Sequence, residues 1–136
     1  MTHLRTDMPG VTEDKLADLV ARFYAKVRRD ALIGGVFNRA VGDWPEHLEK
    51  LARFWSSIML TSGAYKGNPM AAHTKHVAEI TPAMFDRWLE LWAETTAEVF
   101  DPAAAAILQS KASHIARSLK LALAYTAHSQ SAPASA

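Results

Sequence analysis

No cysteine occurs among the 136 residues. Disulfides, thiolate metal sites, iron–sulfur clusters and cysteine nucleophiles are therefore excluded, and the composition suits a reducing cytosol. Charge of one sign is equally scarce: 15 basic residues face 14 acidic ones, a formal net charge of +1. No large single-sign field is available to draw in nucleic acid or an anionic lipid surface, so neither is an expected partner. Long apolar runs are missing too. The opening MTHLRTDMPG has no secretory apolar core, and no later stretch approaches the roughly 20 apolar residues of a membrane span. A soluble cytoplasmic protein is expected. HExxH, GxSxG, the phosphate-cradling GxxxxGK[ST] and Glu-x-x-His are all absent, which removes the common zinc-protease, serine-hydrolase, P-loop and carboxylate-bridged di-iron chemistries.

What is present is helical. With 49% apolar side chains, the chain can bury one core large enough to enclose a cofactor. Leu16, Leu19, Val20, Phe23 and Val27 recur at helical spacing behind a Thr12 N-cap and predict a first helix over 12–29. Gly34, Gly35 and Gly42 bracket Val36–Phe37, predicting a short helical turn between two bends. Asp43 then caps a helix from Trp44 to Leu60, with Trp44, Leu48, Leu51, Phe54, Trp55 and Ile58 inward. After Gly63, Gly67 and Asn68, Pro69 opens a brief helix bearing His73 and His76. Thr81–Pro82 and Asp101–Pro102 start two more helices. The first carries Phe85, Trp88, Leu89, Trp92 and Val99 to about Phe100. The second runs to about Tyr125 with Ile107, Leu108, Ile115, Leu119 and Leu123 buried. The prediction is an all-α fold of one domain over 12–125, with an N-terminal extension at 1–11 and a disordered tail at 126–136.

The chemistry must come from polar groups on apolar stripes. Tyr24 adjoins Phe23 on the inner edge of the first helix, His47 precedes Leu51 by one turn, and Trp88 lies on an inner face. Singly, each is most simply a core residue bonded to a nearby carbonyl. Together with a histidine-bearing short helix between two long ones, they describe a wedge able to hold a flat apolar ring with a metal at its centre. His73 and His76 could instead give two ligands to a zinc ion, although no third ligand is evident. A cofactor-free helical interaction domain also remains open.

The runs FYAKVRRD (23–30), LIGGVF (32–37), DWPEHL (43–48), FWSSIML (54–60), YKGNPMAAH (65–73) and FDRWLELW (85–92), taken in order, resemble a truncated haemoglobin of the third group. The resemblance covers about 12–125. It implies a truncated globin, a two-over-two helical sandwich around one b-type haem (iron protoporphyrin IX). It further implies His73 as the axial iron ligand, since the Y-x-G-x-P-x-x-x-His spacing is intact; His76, one turn later, is the rival. Phe37 matches the phenylalanine on the haem face. Tyr24 and Trp88 match donors to a ligand on the opposite side, and His47 a histidine that gates the pocket. Leu51, Phe54 and Trp55 match cavity-lining positions. Tyr65, Lys66, Arg53 and His76 are candidates to meet the propionates. One departure stands out: Gly34–Gly35 replaces the Gly-Pro usual in this family. The implied function is binding of diatomic gases (O2, with NO and CO as further ligands) at a five-coordinate iron. Turnover of nitric oxide or peroxide would need an external reductase. A monomer is expected.

Overall fold

The computed structural model describes residues 10–60 and 80–131, with side chains to 124. Its elements are α1 (Glu13–Arg29), α2 (Gly34–Ala40), α3 (Trp44–Leu60), α4 (Pro82–Val99) and α5 (Pro102–Ser131). No strand occurs among the described residues. Each long helix begins where a short polar side chain can satisfy an amide that the helix leaves unpaired. The Thr12 hydroxyl accepts from Lys15 N at 3.2 Å, and Asp43 Oδ1 from Glu46 N at 3.1 Å. Thr81 Oγ1 accepts from Met84 N at 3.3 Å, and Asp101 Oδ1 from Ala104 N at 3.0 Å. The predicted brief helix with His73 and His76 lies outside the described residues, as do the extension before Gly10 and the end of the tail.

The helices form a two-over-two sandwich. α1 pairs with α3, α4 pairs with α5, α1 also lies against α4, and α2 packs on α1. Leu16, Leu19, Val20, Phe23 and Val27 of α1 are buried among Trp55, Leu91, Trp92 and Leu108. Trp92 is fully enclosed, and its indole N–H donates to the Leu108 carbonyl at 3.0 Å, tying α4 to α5 through a satisfied buried donor. Two buried threonines are satisfied within α4, Thr95 donating to the Leu91 carbonyl and Thr96 to that of Ala93.

Two details of α5 depart from expectation. Ile107 is exposed, because the buried stripe runs through Ala104, Leu108, Ala112, Ala116, Leu119 and Leu123. One residue is about 100° of helix rotation, so Leu108 takes the inner place that its neighbour cannot share. The helix also continues to Ser131, past the predicted end near Tyr125 and into the segment expected to be disordered. No glycine or proline interrupts the chain between Pro102 and Pro133, and its alanines, leucines and glutamines sustain a helix.

Candidate functional site

The joint between α1 and α2 places the first wall. The Asp30 carboxylate accepts from the amides of Leu32 (3.0 Å) and Ile33 (3.1 Å) and from Arg87 Nε of α4 (2.7 Å). Burial alone would raise the Asp30 pKa, but the Arg87 guanidinium and the two amides hold it below the ordinary aspartate value. Three elements thus meet on one carboxylate. α2 then rests directly on the last turn of α1. A Cβ at Gly34 would lie 2.8 Å from the Arg28 carbonyl oxygen and 3.0 Å from that of Val27, so glycine is required here for close approach. The first glycine of the pair is the one the packing uses; Gly35 would meet only the tip of Arg39 at 3.3 Å.

This joint turns Phe37 toward Tyr24, with ring centroids 5.6 Å apart and edge to face. Tyr24 is buried and also meets the rings of Phe23 (4.6 Å), His47 (5.9 Å) and Trp44 (5.9 Å). Burial pushes its phenol up to about 12, and the neighbouring Trp88 indole pulls the other way. An indole can only donate, so it acts on the Tyr24 oxygen and leaves the hydroxyl proton for another acceptor. Tyr24, His47, Trp88 and Phe37, proposed from separate stretches of sequence, are therefore brought together around one phenol.

The indole of Trp88 is fixed from behind. It lies parallel to that of Trp92, with planes 3° apart and centroids 5.9 Å apart, and Trp92 stacks in turn on Trp55 at 4.5 Å. Trp55 is therefore packed into the core, while Leu48, Leu51, Phe54 and Ile58 of α3 rest against the core and stay partly exposed. Arg53 is half-buried and paired with Glu49 one turn earlier at 3.2 Å. His114 is exposed. His73, His76, Tyr65 and Lys66 lie outside the described residues. A surface groove of about 350 Å³, lined by Leu89, Ser113, Ala116, Arg117, Lys120 and Leu121, shares no residue with this cluster.

Trp44 was legible in the sequence only as one apolar position among several, and Arg28 was not singled out at all. Yet Trp44 lies against both Tyr24 and His47, with the Arg28 guanidinium 4.6 Å from its ring centre. Spacing carried the signal: Tyr24 and Arg28 are one turn apart on α1, as Trp44 and His47 are on α3.

The partly exposed faces of Phe37, Leu51, Phe54, Ile58 and Trp88 fit a flat apolar macrocycle, which would complete their burial. The phenol and indole supply neutral donors suited to partial negative charge. An all-α two-over-two sandwich of this kind is the fold of a truncated globin. The family model for bacterial-like globins matches residues 9–120. A group 3 truncated haemoglobin of Campylobacter jejuni is 31% identical over 110 residues, covering 78% of this chain and 86% of the relative. The crystal structure of a group III truncated haemoglobin from Campylobacter jejuni superposes with a TM-score of 0.77 at 29% identity, covering 87% of this chain and 95% of that one. The chain belongs to the bacterial-like globin family, among the truncated haemoglobins of the third group. Its general function is haem-based binding of diatomic gases. None of the helices among the described residues is long and apolar enough to cross a membrane.

Proposed function

We propose that the protein binds a b-type haem through His73 and uses it on dioxygen, with nitric oxide and carbon monoxide as further ligands. Given electrons from an external reductase, the same site would remove nitric oxide or peroxide. The observation that carries this reading is the buried Tyr24 hydroxyl beside the Trp88 indole, inside a wall of partly exposed aromatic and aliphatic side chains. When bound, the haem would supply an iron able to take a small ligand.

The chain's own residues do the rest. Tyr24, held to about 12 by burial, keeps its proton throughout the physiological range and is a neutral donor. Trp88 donates to the Tyr24 oxygen and polarises the O–H bond that remains to be given away. In this order Tyr24 is the donor that meets the ligand, and Trp88 acts behind it. Phe37, Leu51 and Phe54 exclude water, which strengthens any bond that Tyr24 makes. Donors of this strength favour retention over rapid release, and so favour chemistry at the site over oxygen delivery.

The test is an absorption spectrum of the purified protein and two variants. An intense Soret band is expected in the parent and in His76→Ala, and its loss in His73→Ala. A parent without the band would refute haem binding, and loss confined to His76→Ala would move the ligand one turn along.

A further inference from the structure

We infer that Trp44 is a positioning residue, clamped by Arg28, that holds the His47 imidazole against Tyr24 and so sets how fast a small ligand reaches the Tyr24 hydroxyl. The role rests on the haem reading above. Neither Trp44 nor Arg28 touches the reacting atoms; both act through His47.

The geometry is a two-by-two lattice between helices. Tyr24 and Arg28 stand one turn apart on α1, and Trp44 and His47 one turn apart on α3. The Trp44 ring meets the Tyr24 ring at 5.9 Å and 45°, and the His47 ring edge to face at 5.5 Å and 86°. His47 in turn meets Tyr24 edge to face at 5.9 Å and 84°. Three rings therefore touch pairwise, and one cannot turn without displacing another. The exposed Arg28 guanidinium sits 4.6 Å from the Trp44 ring centre, within cation–π range.

Trp44 itself is held from the backbone side. It is the first residue of α3, after the Asp43 cap, and Pro45 follows with its fixed φ. Arg28 is held likewise, because its carbonyl accepts from the Asn38 side chain at 3.1 Å. Both ends of the clamp are thus tied to helix termini, while the imidazole between Trp44 and Tyr24 is only half-buried.

The experiment uses the full-length protein and two readouts. Rebinding of carbon monoxide after flash photolysis reads access, and oxygen dissociation reads the Tyr24 and Trp88 donors. Arg28→Gln is expected to raise the rebinding rate about two- to fivefold, the range a cation–π contact at an exposed position is worth. Trp44→Ala should raise it further, Arg28→Lys should restore it, and oxygen dissociation should stay put in the two Arg28 variants. Trp44→Phe keeps a ring under Arg28 and guards against misfolding of the alanine variant; it should behave as the parent.

The second readout needs no haem. The carbon-bound protons of the His47 ring lie in the ring current of Trp44, so their NMR shifts should move in Arg28→Gln and return in Arg28→Lys. Unmoved His47 shifts, or rebinding and dissociation changing in parallel, would overturn the positioning role. Those results leave haem binding intact. Absence of a Soret band would instead overturn the haem reading and the access role with it, while the NMR readout still decides the clamp.

Discussion

Replacing Tyr24 by phenylalanine tests the burial of the site without any cofactor. Burial pushes the Tyr24 phenol up to about 12, against about 10 for a free tyrosine, so the folded state holds a proton that the unfolded chain releases. Stability from this group is fully present below about pH 10 and is lost as pH rises toward 12. At about pH 11 the unfolded phenol is mostly ionised and the folded one mostly neutral, which at 1.36 kcal/mol per tenfold amounts to about 1.4 kcal/mol. The full effect, above both values, approaches about 3 kcal/mol. Near neutrality Tyr24→Phe loses only what the Trp88 indole gives the hydroxyl, about 1 kcal/mol. Wild type should therefore be the more stable protein at about pH 8 and lose that advantage by about pH 11. Urea unfolding of the haem-free chain, followed by circular dichroism at a series of pH values, measures the difference directly. Every other titratable group is common to both proteins and cancels in the difference. Parallel stability curves would mean that the phenol reaches water in the folded state, and the dry-donor argument would fail.

Two further outcomes follow from the packing. Once haem is bound, Tyr24→Phe should speed oxygen dissociation about 5- to 150-fold, and Trp88→Phe by less, because the indole acts through the phenol; stopped-flow release into excess carbon monoxide orders them, and a larger effect at Trp88 would reverse the assignment. Gly34→Ala should destabilise the fold by about 1–3 kcal/mol, since the new methyl meets two backbone carbonyls that cannot swing aside; an unchanged melting temperature would show that α2 does not rest on α1 as described.

The helix starts were legible because the physics behind them is local. Thr12, Asp43, Thr81 and Asp101 bond to amides three residues on, and that spacing is written in the sequence. Tyr24, His47 and Trp88 were legible as a group for a related reason, each interrupting an apolar stripe of its own helix. What stayed hidden depends on partners far along the chain. Asp30 and Arg87 are 57 positions apart, and nothing near either residue signals that they meet. The need for glycine at Gly34 comes from the carbonyls of another helix. Ile107 and Leu108 differ by one step of rotation, and only the position of α4 decides which of them turns inward.

The same distinction explains how the site can be both polar and stable. Trp88 owes its orientation to a stack that runs through Trp92 to Trp55, and Trp92 is locked by its bond to the Leu108 carbonyl. The direction of the indole N–H is thus fixed by core packing. Tyr24 is fixed in the same way, its ring packed against Phe23 and Phe37. A donor pair oriented by the core before any ligand arrives need not reorganise when one does, and such preorganisation makes a buried hydrogen bond worth more than the same bond in water. Positions deep in the fold, far from any gas, should therefore tune the site as effectively as the residues that face it. Trp92 is the strongest case, because it is fully buried and touches Phe23, Trp55 and Trp88 at once.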